Sequence, residues 1–522
     1  MKKSNVRLMS RLFPLPCEAV VLAGLVYCGL PETSGAADSP PAASSSATVI
    51  AEASSNGSVR TLNLDQCLQE AMANSHRRPA SKYAVIMAEA QHRQALAGYW
   101  PQIGAKGGYQ RLDQSPDFLF PASSIQVPAQ TLPLPPGFGL AIVDPGNNII
   151  GSVSAFPAQS IQVPEQDVKL MDENSFMASM EATWLLYDGG MRKGYREQAK
   201  GLVEMMKQES RRTDLEIADS VKRLYYGSVL AGQLHQVGND TLARMEATLN
   251  LTETMYKEGG GKVKKTDWLD NKVMVETIRS MVALLEKNEL MAQAALANTM
   301  GLPWNSSVKP TDNQMPYTAF VNKLEGLVRS AYQFNPDWAK VEAGIRAAEG
   351  AVRTAKSEYY PKLAVTGELH KWWNDYEAGL STDRNKEGWS AGVGMEIPLF
   401  TGFSTRNKVA ETKARVAKIK EEQFLLREGI GLQIKDTFLA LAAAEKSHQA
   451  TLDAMSAAVE NRDLNTRAYQ NELVETEKVI RAQLMEALMS AQHYKARYDH
   501  IALQSQLNLV VGTEILKQLE AK

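Results

Sequence analysis

Cysteine is almost missing from this chain. Three occur in 522 residues, Cys17, Cys28 and Cys67, too few for a disulfide framework or a Cys-rich zinc module. An excess of one charge is also lacking. Lys and Arg number 57 against 59 Asp and Glu, a net charge of −2, without the basic surplus that nucleic-acid binding calls for. Long apolar runs are missing as well: Ala19 to Cys28 is too short to span a bilayer, and a mean hydropathy of −0.28 excludes a bundle of transmembrane helices. The seven histidines show no metal-ligand spacing of the i, i+4 kind, so neither a metal nor another cofactor is expected. Gly388, Ser390 and Gly392 fit the G-x-S-x-G pattern, but strand-like alternation runs straight through them, where a nucleophile elbow turns sharply into a helix. Lys262 follows three glycines, yet Tyr256 and Val263 occupy the Gly and Ser/Thr positions a phosphate loop requires. No enzyme is expected.

What is present begins with an export signal. Lys2, Lys3, Arg7 and Arg11 precede the short apolar run, and Ser34-Gly35-Ala36-Ala37 supplies the small residues of a cleavage site. Residues 1–37 therefore read as a signal peptide cut after Ala36 or Ala37; the bulky Tyr27 argues against lipidation at Cys28. Residues 38–60 are Ser, Ala and Pro with few large apolar side chains, a disordered tether. Cys67 is left as the one cysteine of the mature chain, a small core filler.

The rest is internally duplicated. Ala88, Glu89, Arg93, Ala95, Tyr99 and Pro101 recur as Ala348, Glu349, Arg353, Ala355, Tyr359 and Pro361, 260 residues on. Leu186, Tyr187 and Gly189 recur as Leu399, Phe400 and Gly402, 213 residues on, as do Tyr256 at Tyr469 and Leu296 at Leu509. The offset falls because the first copy holds an insertion between about Tyr109 and Asn174. The first repeat is thus 61–301, the second 302–515, and 516–522 a tail. Each repeat reads as helix, hairpin, then two long helices. The insertion, 110–174, carries nine prolines and the near-copies Ser124–Pro128 and Ser160–Pro164. It is expected to form an extracellular cap in which the copies pair, with a floppy loop as the alternative.

Four segments alternate with period two. Ile103, Ala105, Gly107 and Tyr109 form one apolar set, and Phe176, Ala178, Met180, Ala182 and Trp184 a second. Leu363, Val365 and Leu369 form a third; Trp389, Ala391, Val393 and Met395 a fourth. Strands of about ten residues with one apolar and one polar face suit lipid on one side and water on the other. Tyr99, Trp100, Tyr187, Tyr359, Tyr360 and Phe400 lie at one edge, Trp372, Trp373 and Trp389 at the other, as interfacial belts do. Between the strands run long helices. No proline interrupts 190–255, and Leu242, Met245, Leu249, Thr252 and Tyr256 repeat at coiled-coil steps, as do Ile480, Leu484, Ala487, Ala491, Tyr494, Tyr498 and Ile501. A helix of roughly 65 residues would be about 100 Å long. Four membrane strands cannot close a barrel, and open edges in lipid are prohibitively costly. The chain must therefore oligomerise.

In the order and duplication of these segments the sequence resembles the TolC-type outer-membrane efflux proteins, over nearly all of 60–515. The carriers are the strand starts at 99–103 and 359–363, the strand exits at 185–190 and 398–402, and the helix ends at Gly301 and Gly512. The resemblance implies a homotrimer in the outer membrane of a Gram-negative bacterium, with most of its mass in the periplasm. It implies a mixed α/β membrane protein: a twelve-stranded barrel, four strands per chain, continued by an α-helical coiled-coil barrel with a collar of shorter helices. Such a protein is the passive exit duct of a tripartite efflux pump or type I secretion system, partnered by outer-membrane lipid, a periplasmic adaptor protein and an inner-membrane pump. By the same resemblance the periplasmic gate falls at Tyr256, Asp267, Asp270, Tyr469, Lys478 and Arg481. The adaptor-contacting tips fall at Gly259, Gly260, Gly261, Glu472, Leu473 and Val474. Glu472 departs from the usual glycine, and Lys478 and Arg481 from the usual acids, so the hypothesis is a closed state latched by Asp267 with Lys478 or Arg481, within or between protomers. The alternative, a soluble periplasmic coiled-coil adaptor, would have one helical hairpin and no duplication.

Overall fold

The computed structural model describes residues 59–513, apart from 115–116, 135–139, 144, 147–148, 170–172, 260–262, 322 and 375–386. The signal peptide at 1–37, Cys28, most of the tether, Gly260, Gly261 and the tail at 516–522 lie outside the described residues.

A short strand, β1 (Val59–Leu62), opens the fold, so order starts two residues inside the segment read as tether. Helix α1 (Leu64–Asn74) follows, its first turn closed by a capping box between Asn63 and Gln66. Helix α2 (Arg77–Ala97) leads into β2 (Gln102–Arg111). Seven short strands build the insertion: β3 (Asp117–Phe120), β4 (Ser123–Val127), β5 (Gln130–Leu134), β6 (Leu140–Val143), β7 (Ile149–Phe156), β8 (Gln159–Val163) and β9 (Gln166–Lys169). Strand β10 (Asn174–Tyr187) returns and passes into α3 (Met191–Lys257), then α4 (Lys265–Thr299). The second repeat runs β11 (Ser307–Pro310), α5 (Leu324–Phe334), α6 (Pro336–Ser357), β12 (Lys362–Asn374), β13 (Glu387–Glu396), α7 (Ser404–Gln470) and α8 (Thr476–Val511). Helices α3 and α7 each hold 67 residues, the expected length, at the offset of 213. Gly301 and Gly512, both left-handed glycines at the ends of their helices (φ +80° and +78°), set the α4-to-α8 offset at 211. Leu296 therefore matches the buried Leu507, and the equivalence drawn to Leu509 is corrected by two residues.

Strands β13, β12, β10 and β2 form one antiparallel sheet in that order. Its register brings Ile103 opposite Ala182, Trp184 opposite Val365, Val365 opposite Val393, and Leu369 opposite Trp389. All four apolar sets consequently share one face. Nothing in the described chain covers it: Ile103 is 71% exposed, Trp389 75% and Val393 69%. The sheet is open at β2 and β13; a closed barrel is not formed by one chain. The insertion extends the β2–β10 hairpin as a ribbon of constant register, Asp117 opposite Lys169, Ile125 opposite Ile161 and Gln130 opposite Phe156. The near-copied segments do pair with each other. The ladder breaks twice, at Pro121 and Pro164 and again at Pro128 and Pro157, because each proline lacks a ladder donor. The interruptions match because the prolines sit almost opposite one another.

At the strand-to-helix turn, Gly189 (φ +65°) admits no side chain, since a Cβ would lie 2.5 Å from that of Tyr360. The Asp188 carboxylate accepts the backbone N–H groups of Gly190 and Arg192 at 2.9 and 2.8 Å and pairs with the Arg192 guanidinium at 2.8 Å. Helix α3 then packs along α6 through small residues. A Cβ on Gly194 or Gly201 would strike Gly350 or Ala347, so the two backbones approach closely. Two hydrophobic cores hold the shorter helices against the long ones. The first joins Cys67, Tyr225, Leu296, Met300, Val308 and Met315; the second joins Ala331, Ile434, Leu441 and Leu507. Burial, then the neighbouring Glu70, push the Cys67 thiol up to about 11, so it stays protonated and unreactive. Strand β11 pairs parallel with β1, tying the start of the second repeat into the first repeat's core.

Candidate functional site at the helix tips

Two helix hairpins end side by side in the duplication, α3–α4 and α7–α8. In the first, α3 stops at a turn through Gly259 (φ +76°); in the second, Glu472 occupies the equivalent place with φ +56°. The glutamate thus holds the left-handed conformation that glycine adopts freely, at a cost of about 1 kcal/mol. Backbone bonds from Glu472 N to the Tyr469 carbonyl (2.9 Å) and from Leu473 N to the Ala468 carbonyl (2.8 Å) hold it there. Leu473 projects almost bare and Val474 is half-buried.

Just inside the second tip lies a buried hydroxyl network. The Thr252 hydroxyl donates to the Thr248 carbonyl at 2.7 Å. Its proton is thereby committed, so Thr252 accepts from the Tyr469 hydroxyl at 2.8 Å and from Asn271 Nδ2 at 3.3 Å. Tyr469 in turn accepts from the Thr476 hydroxyl at 3.0 Å. Two further levels fasten the same helices. Gln483 Nε2 donates to Thr248 Oγ1 at 2.9 Å. Above it the buried Glu486 takes Arg244 at 2.7 Å and Arg462 at 3.5 Å. Helix α8 of the second repeat is thereby bound to α3 of the first as well as to its own α7.

The residues singled out by resemblance are used unequally. Tyr469 is central to the network. Tyr256 stacks its ring on Trp268, centroids 5.9 Å apart and planes 10° from parallel. Asp267 Oδ2 accepts the Lys264 backbone N–H at 3.0 Å, and Oδ1 the Thr266 hydroxyl at 3.3 Å. Arg481 pairs with Glu477 one turn before it. Asp270 and Lys478 are exposed and form no ion pair among the described residues. The latch within one protomer is therefore not formed: Asp267 sits in the first turn of α4, where unpaired backbone N–H groups are nearest.

Sequence reasoning placed Thr252 on the helix seam without its hydrogen-bonding role, and missed Thr476, Asn271, Arg244, Arg462 and Glu486. The buried seam of α3 runs Thr241, Met245, Thr248, Thr252, not along Leu242 and Leu249. Each threonine hydroxyl bonds the carbonyl four residues back, leaving its methyl to pack. Helix α8 is inverted in the same sense. Gln483, Glu486, Ser490 and His493 are buried, whereas Leu484, Met485 and Leu488 of its apolar stripe line an open hollow with Ile480. Met245 and Thr252 were placed on the seam by their spacing; Thr241 and Thr248, each one residue before the leucine chosen, were not.

Comparison with known proteins agrees with this geometry. A sequence model of the outer membrane efflux protein family matches residues 159–302 and 327–513, more than half of the chain. Protein CyaE of Bordetella pertussis is 26% identical over 282 residues, covering 53% of this chain and 58% of its own. The pyoverdine export outer membrane protein OpmQ of Pseudomonas aeruginosa is 23% identical over 253 residues, covering 48% and 51%. The chain thus matches little more than half the length of these curated relatives. Among solved structures, the outer membrane protein VceC of Vibrio cholerae superposes with a TM-score of 0.63 at 15% identity, over 86% of this chain and 96% of that one.

Proposed function

The chain belongs to the outer membrane efflux protein family, and from that premise we propose that it is the outer-membrane exit duct of a tripartite efflux pump or type I secretion system, working as a homotrimer. The single observation behind this is the four-stranded sheet: one face uniformly apolar and uncovered, both edges open. Each edge strand carries several unpaired backbone groups, and each such group costs several kcal/mol in lipid. Closure with other copies removes that cost; twelve strands make a barrel.

The duplication supplies the pairing rule. Within the chain β10 pairs β12, and α3 packs on α6. The equivalent contacts between copies are β13 with the next β2, and α7 with the next α2. Tyr83 and Met87, both exposed on α2, stand where Ala343 and Ala347 of α6 press on α3. The exposed Leu425, Leu432 and Leu439 of α7 and the apolar hollow of α8 gain partners in the same way. In such a ring Asp267 and Asp270 alternate with Lys478 and Arg481 at six equivalent stations. A gate latched between protomers thus replaces the one absent within a protomer. Exposed pairs of this kind contribute about 1 kcal/mol or less each and weaken with salt. The tips at Gly259 and 472–474 then face a periplasmic adaptor and, beyond it, an inner-membrane pump. Fractionation of a Gram-negative host tests the reading. The protein should sediment with outer membranes and run as a heat-modifiable trimer; recovery as a soluble monomer would overturn it.

A further inference from the structure

The residues that bridge β11 and α5 form a strap laid across both repeats. Tyr225 on α3 donates to Asp312 at 2.9 Å, and Gln233 to the Asn313 carbonyl at 2.9 Å. Met315 is fully buried in the first core. Gln504 on α8 donates to the Thr318 carbonyl at 3.0 Å, and Phe320 meets Phe438 of α7 edge-on. Between these anchors the Tyr317 ring stacks on His448 of α7 at 4.1 Å and lies 4.9 Å from His500 of α8. His448 stacks in turn on His493, centroids 5.0 Å apart.

Three histidines at a buried helix junction are unusual, and their bonding is more so. His500 is 0% exposed, and neither of its ring nitrogens has a partner; His448 Nδ1 and His493 Nδ1 are unsatisfied too. A buried polar atom without a partner is costly. The duplication shows what the site would otherwise be. The offset of 213 between α3 and α7 makes His448 the counterpart of His235. The offset of 211 between α4 and α8 makes His500 the counterpart of Glu289. In the first repeat His235 Nδ1 lies 2.7 Å from Glu289. In the second repeat a third ring stands in place of the carboxylate, and an aromatic stack in place of the imidazole–carboxylate pair.

We propose that the His448–His493–His500 cluster is an acid-sensitive clasp that holds the Tyr317 strap, and through it the two repeats, together at neutral pH and lets go as the surroundings acidify. The groups around the rings fix the sign. Burial holds all three histidines below the ordinary value of 6.5. Arg497 on α8 repels a proton at His448 and His493, and the rings repel one another. Glu445 on α7 favours a first proton on His500 and also faces Tyr317. Asp219 on α3, farther along, is engaged by Ser505 at 2.7 Å and by Arg223 at 3.2 Å. Glu445 offsets only part of the burial penalty at His500, and each proton added puts like charge inside a water-poor stack. The opened strap exposes the rings and lets them bind protons that the closed strap excludes. Closure weakens as pH falls from about 6.5 toward the depressed values, by up to about tenfold per pH unit for each proton linked.

Hydrogen exchange of the full-length protein in detergent, corrected for intrinsic pH dependence, tests this at pH 7.5, 6.5 and 5.5. The strap peptide 311–321 should open roughly tenfold more readily at pH 5.5 than at pH 6.5, while peptides around His235 and Glu289 hold steady. His500→Glu recreates the first repeat's pair and should abolish or reverse the trend. A flat profile for the strap in the parent protein overturns the proposal without any variant. So does a profile in which every peptide loosens together, or a His500→Glu protein that tracks the parent.

Discussion

The Tyr469 hydroxyl is one atom placed between two helices of its own repeat and one of the other. It donates to Thr252 and accepts from Thr476, and neither threonine can turn to water, since both are buried. Replacing Tyr469 with Phe removes both bonds and leaves Thr476 without its acceptor. The expected cost is about 1–3 kcal/mol, seen as hydrogen exchange at the tips of α7 and α8 accelerated by about fivefold or more; unchanged exchange would show that the network does not fasten the tips. At this scale the sequence was legible in part. Tyr469 and the oddity of Glu472 stood out against the glycine at Gly259. Thr476 and Asn271 did not, and Thr252 showed only as a seam position, because a neutral polar residue acquires a role only once its partner helix is in place. His448 and His500 were similarly invisible as a pair. Their spacing along the chain matches no ligand pattern, and only the α7–α8 packing brings them to one tyrosine.

Among the elements, period-two alternation located all four long strands, because a sheet wetted on one face separates its residue types cleanly. Helix extents followed from the missing prolines. The seam of α8 and half of that of α3 were read one position out, since Thr241, Thr248, Gln483 and Ser490 are buried while the adjacent Leu242, Leu249 and Leu484 are only partly covered. The insertion was legible through its repeated Ser-Ile-Gln-Val-Pro segments, which pair as Ser124 opposite Gln162 and Ile125 opposite Ile161. Its ribbon leaves the sheet beyond Arg111 and Asn174, whose own register from Gln102 onward does not depend on it. Deleting 115–170 should therefore leave trimers intact, and should raise single-channel conductance in planar bilayers if the ribbon covers the outer mouth. Equal conductance would assign the ribbon another role.

For the whole molecule, the duplication is the strongest statement the sequence makes, and the proposed ring reads it as a rule of assembly. On that proposal the contact of α3 with α6 has its counterpart between α7 and α2 of the next copy. Gly201 on α3 touches Ala347 on α6, where an added Cβ would sit 2.7 Å from the alanine's. The counterparts are Ala414 on α7 and Met87 on α2, both exposed in the single chain. The offsets of 260 and 213 were legible in the sequence, but which helix faces meet was not, because the close approach of Gly201 to Ala347 exists only once α3 packs on α6. The direct measurement is disulfide formation between Met87→Cys and Ala414→Cys in membranes, with the buried Cys67 left in place. Ring assembly by the repeat rule predicts covalent trimers on non-reducing gels, with dimers as the partial product and neither single variant cross-linking. Exclusively monomeric protein from the double variant under oxidation, in membranes where it is present at the parent's level, would contradict it.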